Sequence, residues 1–357
     1  MAKKTKLLKS ARPLRGRIAL VAGATRGAGR GVARALGEAG AIVYCTGRSV
    51  KGRPSPYKRP ETIDETAAMI NDAGGTAIAV RVDHTVESEV KALFARITRT
   101  HRRIDIVVDS VAGEDPIMGQ WGNLWQADLT NAAAIFRQAL TSRIITAKHA
   151  ALAMMRPRNG AKASRQTAGN AAKAVRQTQL RGLIVEITEN DILGGGGNPM
   201  SQAVKVAQKT LPLFWAAELK PHGIAVMSVT PGFLRSESML EGFGVTEDNW
   251  REGGQKDANF LVSESPLYVG RAVAALAADP NVMDRSGMLY SSWELAREYT
   301  FTDYDGRRPD WGRHAIDFSM LPPAWIEEFR TGTAMGIRWL GTLHARTKKF
   351  QKKIPPP

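Results

Sequence analysis

Residues 18–33 read Ile-Ala-Leu-Val-Ala-Gly-Ala-Thr-Arg-Gly-Ala-Gly-Arg-Gly-Val-Ala, and no other stretch constrains the chain as much. The apolar run from Ile18 to Ala22 has the length of a buried strand. Glycines follow at 23, 27 and 29. Val32, Ala35, Leu36 and Ala39 then recur at helical spacing until Gly40 stops them. Strand, glycine turn and helix start, in that order, make a site for the phosphates of a dinucleotide. Gly23 permits the tight turn. Gly27 and Gly29 remove side chains where backbone N–H groups must approach a pyrophosphate. The helix N-terminus adds partial positive charge.

The alternation continues along the chain. Further strands are expected at 41–46, 76–82, 103–108, 182–188, 222–229 and 287–291. Helices are expected at 61–73, 131–155, 198–219 and 265–278. Alternating strand and helix predicts an α/β fold: a Rossmann-like, doubly wound parallel sheet of about seven strands flanked by helices. One domain is expected over 14–295. A basic disordered arm, 1–13, precedes it. A C-terminal extension, 296–357, follows, with Trp311, Trp325 and Trp339; its first half is expected to pack on the body and its last 15 residues to lack order. Trp121 and Trp125 are expected to be packing residues or a pocket wall.

Charge sharpens this division. Net charge is +16, yet residues 1–17 hold seven Lys/Arg and no acid, 156–181 hold seven and none, and 343–357 hold five and none. Those 19 taken from 50 leave 31 against 34 Asp/Glu. The basicity is peripheral, and the stretch 156–181 reads as an insertion. Solvated tails and a loop are one reading; weak contact with a polyanion is the other. The single cysteine, Cys45, excludes an internal disulfide and suits a reducing, cytoplasmic compartment. The basic N-terminus reads as an arm, with an organelle-targeting peptide as the alternative. No run of about 18 apolar residues is present, so no membrane span is expected. No metal is expected either.

Arg48 follows the second strand with no acid beside it, and Arg26 lies in the glycine turn. An acid after this strand would accept from the ribose 2′-hydroxyl of NAD; an arginine pairs with the 2′-phosphate of NADP. Two guanidiniums suit a dianionic phosphate. Either alone could be an ordinary surface arginine; together they favour NADP(H).

The spacing Gly23-x-x-x-Gly27-x-Gly29, with Arg48, Asp83, Lys205 and Pro231-Gly232, resembles the short-chain dehydrogenase/reductase family over residues 14–295. The chain looks like a bacterial-type member with a C-terminal extension. The resemblance implies hydride transfer between the nicotinamide and a carbonyl or alcohol carbon. It places Gly23, Thr25, Arg26, Gly27, Ala28, Gly29, Arg48, Asp83, His84, Gly113, Pro231, Gly232 and Lys205 around the cofactor. Asp83 matches the acid that holds the adenine amino group; alternatively it leads into a helix begun by Thr85, Glu87 and Glu89. Residues 236–260 correspond to the mobile substrate lid. The long helix 131–155 matches a frequent dimer surface, so a homodimer or homotetramer is expected.

Three departures concern the chemistry. Residues 109–113 read Asp-Ser-Val-Ala-Gly where the family usually has Asn-Asn-Ala-Gly, and only Ala112-Gly113 match. The family's structural asparagine falls near Leu140 and is missing. The family's proton donor is a tyrosine four residues before a lysine that holds the nicotinamide ribose. Here Lys205 fits the lysine, but the tyrosine position is Ser201, and no tyrosine stands between Tyr57 and Tyr268. The serine that orients substrate falls on Thr188 or Glu189. A serine hydroxyl titrates far above a phenol, in the region of water, and a neighbouring ammonium lowers a pKa by a few units at most. Ser201 therefore cannot replace the phenol, and proton transfer would need water, Glu189 or Asp191. Two functions remain open: an NADP(H)-dependent oxidoreductase with altered proton transfer, or a pseudoenzyme of the same fold that binds cofactor, polyanion or protein.

Overall fold

The structure is a computed structural model. It describes residues 12–54, 59–112, 123–157, 180–189 and 199–317, with the backbone alone at 124, 201 and 315–317. Among these residues seven strands form one sheet: β1 (Ile18–Ala22), β2 (Ile42–Gly47), β3 (Thr76–Arg81), β4 (Ile106–Asp109), β5 (Gly182–Ile187), β6 (Ile224–Thr230) and β7 (Leu289–Ser291). All pairs are parallel, in the spatial order β3-β2-β1-β4-β5-β6-β7. The order reverses between β1 and β4. A crevice at the C-terminal ends of the strands is expected at such a reversal.

The strands are apolar throughout because both sheet faces are covered. Ala19 and Val21 of β1, Val43 and Cys45 of β2 and Val185 of β5 point to one face. There they meet α1 (Gly27–Glu38), α2 (Ile63–Asp72) and α8 (Pro266–Ala278). Leu20, Tyr44 and Ile184 point to the other face, against α3 (Glu87–His101), α5 (Ser142–Met155) and α6 (Pro199–Leu219). Helices α1 and α8 cross at backbone distance. A Cβ on Gly31 would stand 1.8 Å from the Pro266 carbonyl oxygen, and one on Gly270 would stand 2.3 Å from that of Gly31.

The helix expected at 131–155 is two helices joined by one wider turn. α4 (Leu129–Phe136) is capped by Asp128, residues 137–141 form a π-helical turn, and α5 continues to Met155. The extra residue in that turn shifts the faces of α5 relative to α4. Trp125, just before α4, is 82% exposed, which corrects its reading as a packing residue. The sixth strand begins at Ile224, after Gly223 in the left-handed region closes the preceding turn.

The stretch 236–260 is not a simple loop. It holds α7 (Glu237–Phe243), capped by Ser236, and a short 3-10 turn at Trp250–Gln255. Trp250 and Phe260 are fully buried, and Phe243 stacks on Phe260 at 4.0 Å between centroids. Beyond β7, α9 (Ser292–Tyr299) and α10 (Trp311–Asp317) bring the start of the extension back onto this cluster, with Trp311 edge-on to Phe233. Most of the basic insertion, the last 40 residues, Trp121, Trp325 and Trp339 lie outside the described residues.

Candidate active site

A cleft of about 280 Å³ opens over the C-terminal ends of β1, β2, β4, β5 and β6. Its walls gather residues from across the whole sequence: Gly23, Thr25, Arg26, Gly27 and Ala28 from the glycine turn, Arg48 after β2, Asp83 and His84 after β3, Thr188 and Glu189 after β5, and Pro231 after β6. The turn is glycine-dependent for a visible reason. Gly23 has φ +79°, and a Cβ there would lie 2.4 Å from the Ser110 carbonyl oxygen. Gly29 does not line the cleft; it lies under the turn, where a Cβ would strike the Gly23 carbonyl oxygen at 2.1 Å. α1 starts at Gly27 with no acid in its first turn and no side-chain cap, so its amide dipoles face the cleft uncompensated from within the helix.

The end of the cleft that carries Arg26 and Arg48 holds more charge than the sequence showed. Arg26 lies 4.0 Å from Glu61, a buried carboxyl before α2, and Arg59 pairs with the same carboxylate at 2.7 Å. Burial opposes ionisation of Glu61, but the Arg59 and Arg26 guanidiniums and the backbone hold its carboxyl below the usual range. Three-dimensional folding thus brings an acid to a corner that was acid-free in sequence. Asp83 accepts from the Thr85 amide at 2.9 Å and from its hydroxyl at 2.7 Å. That is the helix-leading role, and it leaves Asp83 on the cleft wall as well. Burial raises its pKa, but the Thr85 bonds and nearby Arg48 bring it below the usual value.

His84 lines the cleft, but its ring is engaged within the fold. Its ring is 4% exposed, with Nε2 2.9 Å from Thr46 Oγ1 and Nδ1 2.9 Å from Thr146 Oγ1. Both ring nitrogens are engaged, and burial pushes the imidazole pKa down. The side chain therefore braces β2 against α5. Gly232 follows Pro231 at the edge of the cleft: its N–H donates to Glu264 Oε2 at 2.9 Å, and a Cβ would lie 2.7 Å from Trp311 Cβ. Gly113 lies outside the described residues, as does Asp191.

At the opposite end, Lys205 of α6 pairs with Glu189 at 2.6 Å. The lysine side chain is 25% exposed and the glutamate 60%; Glu189 lines the cleft, and Lys205 reaches it through this pair without lining the wall itself. Ser201 lies on the first turns of α6, four residues before Lys205, hence on the same helix face. The Thr188 hydroxyl is buried on the cleft wall, and its Oγ1 has no partner among the described residues. An unpartnered buried hydroxyl facing a cleft is a group that a bound molecule can satisfy.

One cluster was missed by sequence reasoning. Arg143 of α5, Asp109 at the end of β4 and Glu186 of β5 are all nearly fully buried under the cleft. Asp109 and Glu186 are register partners. Arg143 donates to Glu186 Oε2 at 2.7 Å and to the Val111 carbonyl at 3.0 Å, and lies 4.0 Å from Asp109 Oδ1. Burial, then repulsion from Asp109, pushes the Glu186 carboxyl up to about 8, against the pull of Arg143. The signal was present: a glutamate in the apolar run of β5 and an aspartate ending β4 require a cation between them. Among the described residues no three His, Cys, Asp or Glu side chains gather as a metal site. No helix among them is long and apolar enough to cross a membrane.

Known proteins are similar to this chain in sequence and in fold. The family model described as short chain dehydrogenase matches residues 17–162. Dehydrogenase/reductase SDR family member 1 of Mus musculus is 30% identical over 340 residues, covering 93% of this chain and 98% of that protein. A 7alpha-hydroxysteroid dehydrogenase of Clostridium sardiniense is 30% identical over a shorter stretch of 137 residues, 38% of this chain and 48% of that protein. Among solved structures, a short-chain type dehydrogenase/reductase from Mycobacterium marinum superposes with a TM-score of 0.59 at 23% identity, over 80% of this chain and 97% of that one. A hydroxysteroid dehydrogenase from Escherichia coli superposes with a TM-score of 0.57 at 20% identity, over 79% and 96%. The structural likenesses show the fold. The near full-length relative, the matching model and the glycine turn at the head of the cleft show the family: the chain belongs to the short-chain dehydrogenases/reductases, oxidoreductases that use nicotinamide cofactors.

Proposed function

We propose that this chain is an NADP(H)-dependent oxidoreductase that moves hydride between the nicotinamide and a carbonyl or alcohol carbon, by a proton route that does not use tyrosine. The observation that carries this reading is the cleft itself, which has the α1 N-terminus and two arginines at one end and the Lys205–Glu189 pair at the other. The residues present fit a phosphorylated dinucleotide. Gly27 and Ala28 offer backbone N–H groups, Arg26 and Arg48 offer guanidiniums for a 2′-phosphate, and Gly23 leaves room that a Cβ would fill. Bound, the dinucleotide supplies or accepts the hydride. Lys205 then holds the ribose hydroxyls, Thr188 orients the substrate oxygen, and Glu189 or a water held by it exchanges the proton.

The Lys205–Glu189 pair also favours a second reading. A lysine neutralised at 2.6 Å by a carboxylate has less charge to offer a reacting group, and a serine at 201 cannot donate as a phenol does. A pseudoenzyme of this fold would keep the cofactor end and lose the chemistry. In either case residues 14–295 form one unit, with the basic insertion 156–181 and the basic terminal segments making weak, salt-sensitive polyanion contact. The exposed apolar side chains on α4, α5 and α6, among them Phe136, Ile144, Leu152 and Phe214, support self-association as a homodimer or homotetramer. A cytoplasmic location goes with the single cysteine, which is buried in β2.

NADPH oxidation across aldehydes, ketones and quinones separates the two readings. General acid–base help contributes about 10²–10⁴-fold, so weak wild-type turnover is expected. Ser201→Tyr is expected to raise it, because it restores the family's tyrosine four residues before Lys205, and Lys205→Ala to lower both turnover and NADPH affinity. Fast wild-type turnover that collapses in Ser201→Tyr would show that serine belongs to a different proton route. No turnover in either protein, with NADPH still bound, would establish the pseudoenzyme.

A further inference from the structure

The N–H of Gly27, the first of α1, is already engaged. It donates to Glu237 Oε2 at 2.7 Å, across 210 residues of sequence, and Glu237 Oε1 lies 3.4 Å from Arg30 Nη1. Glu237 is the first residue of α7, whose cap Ser236 and second residue Ser238 both line the cleft. A second contact ties the same helix down. Arg59 Nη1 donates to Glu241 Oε2 at 2.6 Å, and Arg59 also holds the Glu61 carboxylate that faces Arg26. Two carboxylates of one short helix therefore rest on two groups with an affinity for phosphate: the N-terminus of α1 and the arginine corner.

One N–H cannot serve a carboxylate and a phosphate at full strength together, and two anions at hydrogen-bond range repel. We propose that Glu237 is an affinity-setting residue for the cofactor: an internal anion that holds α7 on the glycine turn and that the dinucleotide phosphate displaces. Glu241 is the weaker of the two tethers, because its side chain is 71% exposed and its charge is screened. Displacing Glu237 releases the start of α7, so cofactor binding and movement of the lid are one event. The free energy of that release is subtracted from the cofactor's intrinsic affinity. The inference rests on the reading that this cleft takes a dinucleotide.

The test uses the full chain, wild type and Glu237→Gln. Glutamine keeps the size and an amide oxygen and loses the charge. Calorimetry measures the NADPH dissociation constant, and hydrogen exchange across 236–245 is followed without cofactor. Glu237→Gln is expected to bind NADPH roughly 5-fold tighter or more, and its α7 amides to exchange faster than wild type before any cofactor is added. Glu241→Gln is expected to move both readouts the same way by less. If wild type binds NADPH and Glu237→Gln binds it equally or more weakly, the proposal is overturned and the cofactor reading stands. If wild type binds no NADPH, the cofactor reading falls, and unchanged α7 exchange in Glu237→Gln overturns the latch as well.

Discussion

Arg143 is 4% exposed and has two carboxyls within 4.0 Å. Its guanidinium joins α5 to the ends of β4 and β5, and its bond to the Val111 carbonyl fixes the backbone that borders the cleft. A buried ion pair contributes little net stability, because desolvation offsets attraction, but removing one partner strands the other charge. Arg143→Met is therefore expected to cost about 3–5 kcal/mol, read as a lowered urea midpoint. Arg143→Met with Glu186→Leu is expected to recover part of that loss, since one buried carboxyl, that of Asp109, is then left facing the gap instead of two. A single variant that unfolds at the wild-type midpoint would show that the cluster is not the buried network described. The neighbouring His84 behaves in the same structural way, its ring held between two threonines.

The turn after β6 is organised by a buried acid. Glu264 is 1% exposed and pairs in a parallel bridge with Leu234. Its Oε2 accepts from the Gly232 amide at 2.9 Å and from the Ser292 hydroxyl at 2.5 Å, so one carboxyl joins the Pro231-Gly232 turn to the start of α9. Burial pushes this carboxyl up to about 8, although both hydrogen bonds favour its ionised form. An acid whose pKa is higher folded than unfolded binds more protons in the folded state. Its contribution to stability is complete below about 4.5 and is lost as pH rises through about 8. Glu264→Gln removes this dependence. The stability of the variant relative to wild type is expected to rise between pH 5 and 8, with a slope of up to about 1.4 kcal/mol per pH unit. Urea midpoints at three pH values measure it, and a flat or falling difference contradicts the assignment.

Over the whole molecule, what was legible in the sequence was what local signals carry. The order strand, glycine turn, helix is written within residues 18–40, and strand–helix alternation sets the parallel sheet and so puts the cleft over its C-terminal edge. The pairings across the cleft were not legible, because they depend on which helix lands on which face. Gly27 meets Glu237, Arg59 meets Glu241 and Arg143 meets Glu186 only after the sheet has formed. Glu61 follows the same logic: its sequence neighbours say helix start, while the fold turns it toward Arg26. Trp125 reads as a packing residue or a pocket wall and is exposed, because hydrophobic type alone does not assign a face. The central claim is a cleft built for a phosphorylated nicotinamide dinucleotide, and calorimetric titration of the full chain with NADPH and with NADH tests it most directly. The account predicts tighter NADPH binding, with Arg48→Ala narrowing the gap while NADH affinity holds; equal affinity for the two cofactors in the wild-type protein would contradict it.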